Sequence, residues 1–132
     1  AGWQYARENP EEALAITMLG PAVRRGDPAW FDIVRWTIHA LVAAEQLGIS
    51  SARVESLKAS AQLDVRRLLG VEGDIGKPLG LPRDWVYQIL RSLGNYGEFF
   101  ERNLGQRSAL KLERSANELW IKGGLMVAPH LR

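Results

Sequence analysis

Hydrophobic residues with helical spacing follow the run Gly26-Asp27-Pro28. Asp27 can cap the free amides of a new helix, and Pro28 suits the first helical position because its ring fixes φ. Beyond this start, apolar side chains cover a wide helical face, at positions 30, 31, 33, 34, 38, 41, 44 and 47. Because Gly48 supplies a C-terminal stop, the pattern predicts a mostly buried helix over residues 28–47.

A second helical pattern begins at Pro82 and separates an apolar stripe from a polar one. The apolar stripe consists of Trp85, Ile89, Leu93, Tyr96, Phe100 and Leu104, and the polar stripe of Asp84, Gln88, Arg91, Asn95, Glu98 and Arg102. Gly94 and Gly97 lie inside this helix, where each costs about 1 kcal/mol relative to Ala. We expect them to permit close approach of a neighbouring helix rather than to break this one, which ends at Gly105.

Shorter patterns predict the remaining elements. Ser50 or Ser51 can cap a short helix, and a further apolar cluster at residues 63–69 ends at Gly70. The glycine-rich residues 70–81 read as a loop that has a function or is packed by its own side chains. A last helix is expected over residues 110–122. Near the start of the chain, Pro10 suits a first helical turn, and Pro21 to Arg24 are predicted to form a short strand.

The composition fits one domain and suggests few partners. The 132 residues, 46% of them hydrophobic, can build a single core. The 17 Lys and Arg residues nearly balance the 15 Asp and Glu residues, so the charge of +2 does not require nucleic acid as a partner. The sequence has no Cys, which removes disulfides, thiol nucleophiles and thiolate metal ligands. Its apolar stretches are shorter than the roughly 18 residues of a membrane span.

The side chains that could carry chemistry have simpler interpretations. His39 and His130 lie in different elements without metal-binding spacing, so we interpret them as rim or surface histidines. The pairs Glu11 with Glu12 and Glu72 with Asp74 are explained by a helix start and a solvated loop. The loop 70–77 lacks the spacing of a phosphate-binding or dinucleotide-binding motif. We therefore expect no catalytic residue, no metal site and no cofactor, and the ligand-binding residues stay unknown.

The arginines and tryptophans could in principle bind nucleic acid, but the aromatic positions argue against it. Five aromatic residues lie on apolar helical stripes and are expected in the core: Trp30, Phe31, Trp85, Phe100 and Trp120. Trp3 lies outside any clear stripe and is the aromatic residue expected at the surface or an interface. The scattered arginines are Arg24, Arg25, Arg66, Arg67, Arg91, Arg102, Arg107 and Arg114.

Several runs in the same order resemble the late segment of amino-acid-binding proteins of ABC transporters. The first runs are Leu19-Gly20-Pro21-Ala22-Val23-Arg24-Arg25-Gly26-Asp27 and Trp30-Phe31-Asp32-Ile33-Val34-Arg35-Trp36. Three later runs look like the general L-amino-acid-binding branch: Arg67 to Asp74, Gly94 to Asn103 and Leu119 to Leu125. Together they cover residues 19–132, and their order is more specific than any single motif.

The resemblance implies a periplasmic receptor of two α/β lobes that closes on an amino acid and presents it to a membrane permease. This chain is similar to only its final third, the C-terminal portion of an extracellular solute-binding protein of family 3. Residues 19–27 would match a strand that returns to the first lobe, and Pro28 would start a helix packed on that lobe. The family residues that clamp the ligand lie mostly in earlier segments, so none is assigned to this chain.

These observations predict a mainly α fold of four to six helices with one or two short strands, part of a two-lobed α/β receptor. We expect one helical domain over residues 1–132, with a divergent segment 1–18, a return strand 19–27 and a helical region 28–132. The expected role is a non-catalytic scaffold and permease-facing surface of an amino-acid receptor, with the missing lobes as partner. Lacking its sheet, the chain is expected to self-associate as a dimer, by exchange of a strand or helix between two copies. The alternative function is an independent helical protein-interaction module, and an enzyme using two carboxylates ranks third.

Overall fold

The computed structural model describes residues 21–130, which fold into helices joined by turns. The α-helices of this region are α1 (Pro28–Gln46), α2 (Leu63–Leu68), α3 (Trp85–Leu93) and α4 (Tyr96–Asn103). Short 3-10 turns occupy Ser56–Ala59, Lys77–Leu79, Ser115–Asn117 and Trp120–Lys122. This architecture confirms the predicted mainly α fold class.

The predicted strand over Pro21–Arg24 is wrong. These residues have no regular secondary structure, and residues 25 and 26 form a turn. A strand needs a neighbouring strand to take up its backbone hydrogen bonds. Within residues 21–130 the only β pairing is an isolated parallel bridge between Leu119 and Met126, far along the chain. The preceding residues 1–20, including Trp3, Pro10, Glu11 and Glu12, lie outside the described residues.

The long helix α1 starts where the sequence predicts, but only its second half is buried. The Trp30 amide donates to Asp27 Oδ1 at 2.9 Å, so Asp27 is the predicted N-cap. Ala40, Leu41, Val42 and Ala44 are buried by the rest of the chain. Trp30 and Phe31, in contrast, are 51% and 48% exposed. The prediction of a mostly buried helix is therefore wrong for its first turns, which extend beyond the core.

One apolar core joins α1 to α2 and α3. The largest fully buried side chains are Ile49, Leu69, Leu90, Val42, Val54, Val65 and Val86. The predicted cluster at 63–69 is confirmed as α2, whose Val65 and Leu68 face this core. Residues 51–59, where a short helix was predicted, form turns and a 3-10 segment instead. Leu57 still packs against the core from that segment.

Of the two interpretations of the loop 70–81, a function or packing by its own side chains, the structure supports the packing. Ile75, Leu79 and Leu81 lie against the core, and Asp74 Oδ1 accepts the amide hydrogens of Gly76 and Lys77 at 3.2 and 3.0 Å. Glu72 and Asp74 are both exposed, in agreement with their interpretation as carboxylates of a solvated loop, and Asp74 in addition orders this turn. The loop is therefore an ordered cover over one side of the core.

The predicted continuous helix over residues 82–104 is interrupted at Gly94. This glycine has φ +78°, a left-handed conformation that ends α3, so the expectation that it continues the helix is wrong. Asn95 then caps α4: its side chain accepts the Glu98 amide at 3.0 Å, and Glu98 accepts the Asn95 amide at 2.9 Å. The local capping energy of this second start favours two short helices over one long one.

The predicted helix over 110–122 is also wrong. Lys111 and Ser115 have φ values of +48° and +43°, which no continuous right-handed helix allows. The Ser108 hydroxyl accepts the amides of Leu110 and Lys111, so local side-chain bonds compete with the helix. This region is instead an irregular segment with two 3-10 turns.

Candidate functional surface

A closed loop near the end of the chain presents large apolar side chains to solvent. Trp120, Ile121, Leu125 and Val127 are 58%, 60%, 68% and 58% exposed, and we refer to these four residues as the apolar tip. Leu119, next to them in sequence, is only 2% exposed and anchors the loop. Large aromatic and aliphatic groups that cluster at a surface are typical of protein-binding sites.

Backbone hydrogen bonds hold this loop in one shape. The Trp120 amide donates to Met126 O at 3.0 Å, and the Met126 amide donates to Glu118 O at 3.0 Å. At Gly124 an added Cβ would lie 1.9 Å from Glu118 O, so only glycine allows this approach. The apolar tip is therefore presented by a fixed backbone, which reduces the entropy that binding would cost.

The first turns of α1 form a second exposed apolar area. Trp30 and Phe31 are both about half exposed, as described above, and the Arg35 guanidinium lies 5.6 Å from the Phe31 ring centroid and 5.7 Å from the Trp36 ring centroid. Trp36 in turn meets His39 edge to face at 5.5 Å. In the sequence, this aromatic area lies near the beginning of the described residues, and the apolar tip lies near their end.

A shielded ion pair ties the segment before the apolar tip to α1. Arg114 Nη1 and Nη2 both donate to the Glu45 carboxylate, the second at 3.0 Å, and Arg114 Nη1 lies 3.2 Å from Glu118 Oε1. The side chains of Arg114 and Glu45 are 12% and 11% exposed. Such a two-bond pair between a guanidinium and a carboxylate fixes the geometry of both groups.

The surroundings of this pair change the acidity of neighbouring groups. Burial would lower the pKa of Arg114, but the hydrogen bonds and charge of Glu45 and the charge of Glu118 together raise that pKa above its usual value. Burial likewise raises the pKa of Tyr96, whose shift Arg114 partly opposes. Both shifts act in the direction of the ordinary states, a charged guanidinium and a protonated phenol.

Gly97 makes room for the ion pair. An added Cβ at this position would lie 2.8 Å from Glu45 Oε1 and 3.0 Å from Arg114 Nη1. The prediction that Gly97 permits a close approach is therefore confirmed: α4 lies directly against the pair.

The candidates for chemistry in the sequence take ordinary places in the described part of the chain. His130 is exposed, and His39 is partly buried on α1, where burial and then Arg35 lower its pKa. Glu72 pairs with Arg66, the Nη2 and Oε2 atoms being 2.7 Å apart. Between residues 21 and 130, no group of three or more His, Asp or Glu side chains is arranged to hold a metal ion.

The aromatic residues divide in a way that the helical stripes do not reveal. Trp85 and Phe100 are 5% and 3% exposed, so their predicted core positions are confirmed. Trp30, Phe31 and Trp120 were predicted in the core and are instead exposed, which corrects the prediction. A helical stripe identifies apolar side chains. Whether another part of the chain packs over them depends on the tertiary structure.

A mixed-charge groove adjoins the ion pair. It has a volume of about 660 Å³ and is lined by Glu113, Arg114, Ser115, Ala116, Glu118, Lys122, Gly123 and Leu125. Ser115, whose φ is +43°, and Leu125 of the apolar tip are both among its lining residues.

Among the described residues, no helix is both long and apolar enough to cross a membrane.

Comparison with known proteins gives consistent relatives. The chain is 49% identical over 133 residues to the general L-amino-acid-binding periplasmic protein of Rhizobium johnstonii, covering 95% of this chain and 39% of that protein. It is also 49% identical, over 122 residues, to a putative amino-acid ABC transporter-binding protein of Escherichia coli strain K12 and to the glutamate/glutamine/aspartate/asparagine-binding protein of Rhodobacter capsulatus. Each of these two matches covers 92% of this chain and 36% of the relative. No protein-family model matches the chain.

A solved structure agrees with these sequence matches. The periplasmic binding protein of an ABC transporter from Brucella ovis, with glutathione bound, superposes with a TM-score of 0.78 at 52% identity. The superposition covers 83% of this chain and 35% of that protein. The resemblance found in the sequence is therefore confirmed, and the predicted periplasmic location agrees with the names of the relatives. This chain is a homologue of the periplasmic binding proteins of amino-acid ABC transporters, and it spans little more than a third of the length of the relatives it matches.

Proposed function

We propose that this chain is part of a periplasmic amino-acid-binding receptor of an ABC importer and serves there as a scaffold and as a permease-facing surface. The observation that carries the proposal is the 49% identity to amino-acid-binding relatives over 92 to 95% of the chain. Identity at this level over nearly the whole chain supports a shared fold and a shared role. The L-amino acid would bind to the complete receptor, of which the chain supplies one portion.

The described residues support a scaffold role. The most shielded ion pair, Glu45 with Arg114, is engaged within the chain, as is Glu98, which accepts hydrogen bonds from Ser51 and Asn95. Charged groups that are already paired within the chain in this way stabilise the fold and do not need a ligand. We therefore propose a binding role without catalysis.

The apolar tip supports the permease-facing role. Its Trp120 is the type of residue that dominates binding energy at protein interfaces, and its backbone is fixed by the bridge between Leu119 and Met126. Rigid exposed groups suit docking to another protein surface because little order has to be created on binding.

The exposed first turns of α1 support a further proposal, that the isolated chain self-associates. The rest of the receptor would cover Trp30 and Phe31 in the parent protein, and without it a second copy can bury them. Size-exclusion chromatography with light scattering is expected to give at least twice the monomer mass. The double variant W30S/F31S is expected to be monomeric, because both side chains are half exposed and their removal leaves the core intact.

The matched control is W120S/I121S, which removes two equally exposed apolar side chains from the apolar tip instead. It is expected to remain associated. A wild-type chain that elutes as a monomer would contradict the proposal, and a monomeric control with an associated W30S/F31S variant would move the contact to the apolar tip.

Amino-acid binding by a chimera tests the receptor function itself. In the Rhodobacter capsulatus protein, the portion that matches this chain is replaced by this chain, and L-glutamate is the probe because that relative is named for it. If the chain is an equivalent portion of a receptor, the chimera is expected to fold and to bind L-glutamate.

A further inference from the structure

The last part of the described chain, residues 106–130, packs as a separate layer on the helices, and we refer to it as the C-terminal segment. Leu119 is the one buried residue of this segment, and its other residues are exposed or half buried. The core cluster itself draws its members from residues 36–96 and includes none from this segment. The helical core is therefore complete without the C-terminal segment.

Several polar contacts attach the segment to the helices. The Ala128 amide donates to Gln46 Oε1 at 3.0 Å, and the Tyr96 hydroxyl donates to Asn117 Oδ1 at 3.3 Å. Near its start, the Leu112 amide donates to Leu104 O at 2.9 Å. Each of these is a single neutral hydrogen bond, of the kind that contributes modestly to stability.

The contact of Arg114 with α1 is different in kind. It joins residues 69 positions apart in the sequence, uses both guanidinium nitrogens on the Glu45 carboxylate, and is shielded from water. Arg114 Nη2 also donates to Asn117 O at 3.0 Å, which braces the segment from within. Its guanidinium carbon lies 5.6 and 5.8 Å from the ring centroids of Tyr96 and Phe100.

Removing the Glu45 charge leaves Arg114 with Glu118 of its own segment, 3.2 Å away, and with no ion pair to α1. Loss of a shielded partner costs more than loss of a surface partner, because the buried guanidinium has lost its hydration. Within the C-terminal segment, Leu119 is the one buried apolar side chain that opposes the release, so the segment can relieve the cost by moving into water.

We propose that the Glu45–Arg114 pair is a latch that holds the C-terminal segment on the helical core. When the pair is broken, the segment detaches and the apolar tip loses its fixed position, while the core of α1, α2 and α3 stays folded. The pair thus sets whether the apolar tip is available as an ordered docking surface. Local opening of this kind, in a unit separate from the core, is a known mode of protein motion.

The test is hydrogen–deuterium exchange of the whole chain, comparing E45Q with the wild type. In E45Q, the amides of Leu112 and Ala128 are expected to exchange at least about tenfold faster, because their acceptors, Leu104 O and Gln46 Oε1, lie outside the segment and these bonds open when it detaches. The amides in the last turn of α3 are expected to keep their wild-type rates. The chain is measured at a concentration where its oligomeric state is the same for both proteins.

The control is E72Q, which makes the same change in the exposed pair with Arg66, where the side chains are 47% and 32% exposed. It is expected to leave exchange in the C-terminal segment unchanged. Unchanged exchange of the Leu112 and Ala128 amides in E45Q would overturn the proposal. Faster exchange by the same factor at these two amides and in α3 would also overturn it, because the pair would then support the whole fold. Complete unfolding of E45Q would be such a result.

Discussion

Replacing Leu90 with Ala is expected to lower the free energy of unfolding by about 2–5 kcal/mol. The Leu90 side chain is 0% exposed and belongs to the core cluster that joins α3 to α1 and α2. Its truncation removes apolar burial and leaves a cavity among neighbours that can only partly close. Urea denaturation followed by circular dichroism measures the change.

The control for this prediction lies one turn further along the same helix. Leu93 is 44% exposed, so L93A is expected to cost at most about 1 kcal/mol. Because both substitutions have the same effect on helix propensity, their difference reports the core alone. Equal losses for L90A and L93A would contradict the assignment of α3's buried face.

The variant G70A is expected to destabilise the protein by about 2–5 kcal/mol, for a reason that lies in the backbone. Gly70 has φ +71°, where a side chain costs about 1–2 kcal/mol. An added Cβ would also lie 2.2 Å from Arg83 O, and its other near neighbours are backbone atoms as well. Rigid neighbours of this kind cannot move aside cheaply, which adds about 1–3 kcal/mol.

Gly73 gives a matched control in the same loop. It has φ +72°, but an added Cβ would meet nothing within 4 Å. The variant G73A is therefore expected to show only the conformational cost of about 1–2 kcal/mol. Thermal unfolding of both variants separates the two effects, and equal values for G70A and G73A would mean that the approach of the loop to Arg83 is looser than described.

The sequence predicts best the features that depend on neighbouring residues. Asp27 and Pro28 locate the start of α1, and the apolar spacing at 63–69 locates α2, because caps and periodicity act within a few residues. The same local reasoning gives the packed loop 70–81. The family resemblance, which depends on several ordered runs, is confirmed by the relatives.

The sequence predicts less well where two local preferences compete. The apolar stripe continues past Gly94. In the structure, however, α3 ends at this glycine and Asn95 caps the start of α4. In the C-terminal segment the apolar spacing suggests a helix. The positive φ values of Lys111 and Ser115 and the hydrogen bond from the Leu110 amide to the Ser108 hydroxyl prevent it. The spacing of apolar residues alone does not show whether a helix or a local cap or turn is more stable at such a position.

The candidate surface depends on contacts between distant residues, so little of it is visible in the sequence. Glu45 and Arg114 are ordinary charged residues in their local sequences and become important only when α1 and the C-terminal segment meet. Trp30 and Trp120 have the apolar spacing of core residues, but no described part of the chain covers them. The one local signal was Gly97, whose missing side chain marks the close approach that the ion pair occupies.

The most direct test of the receptor assignment is titration calorimetry of L-glutamate into the chimera described above, with the unaltered Rhodobacter capsulatus protein as control. A chimera that unfolds cooperatively and binds L-glutamate saturably, one molecule per chain, is the result we predict. A chimera that unfolds with the same cooperativity as the control and gives no saturable heat would contradict the claim that this chain is an equivalent portion of an amino-acid receptor.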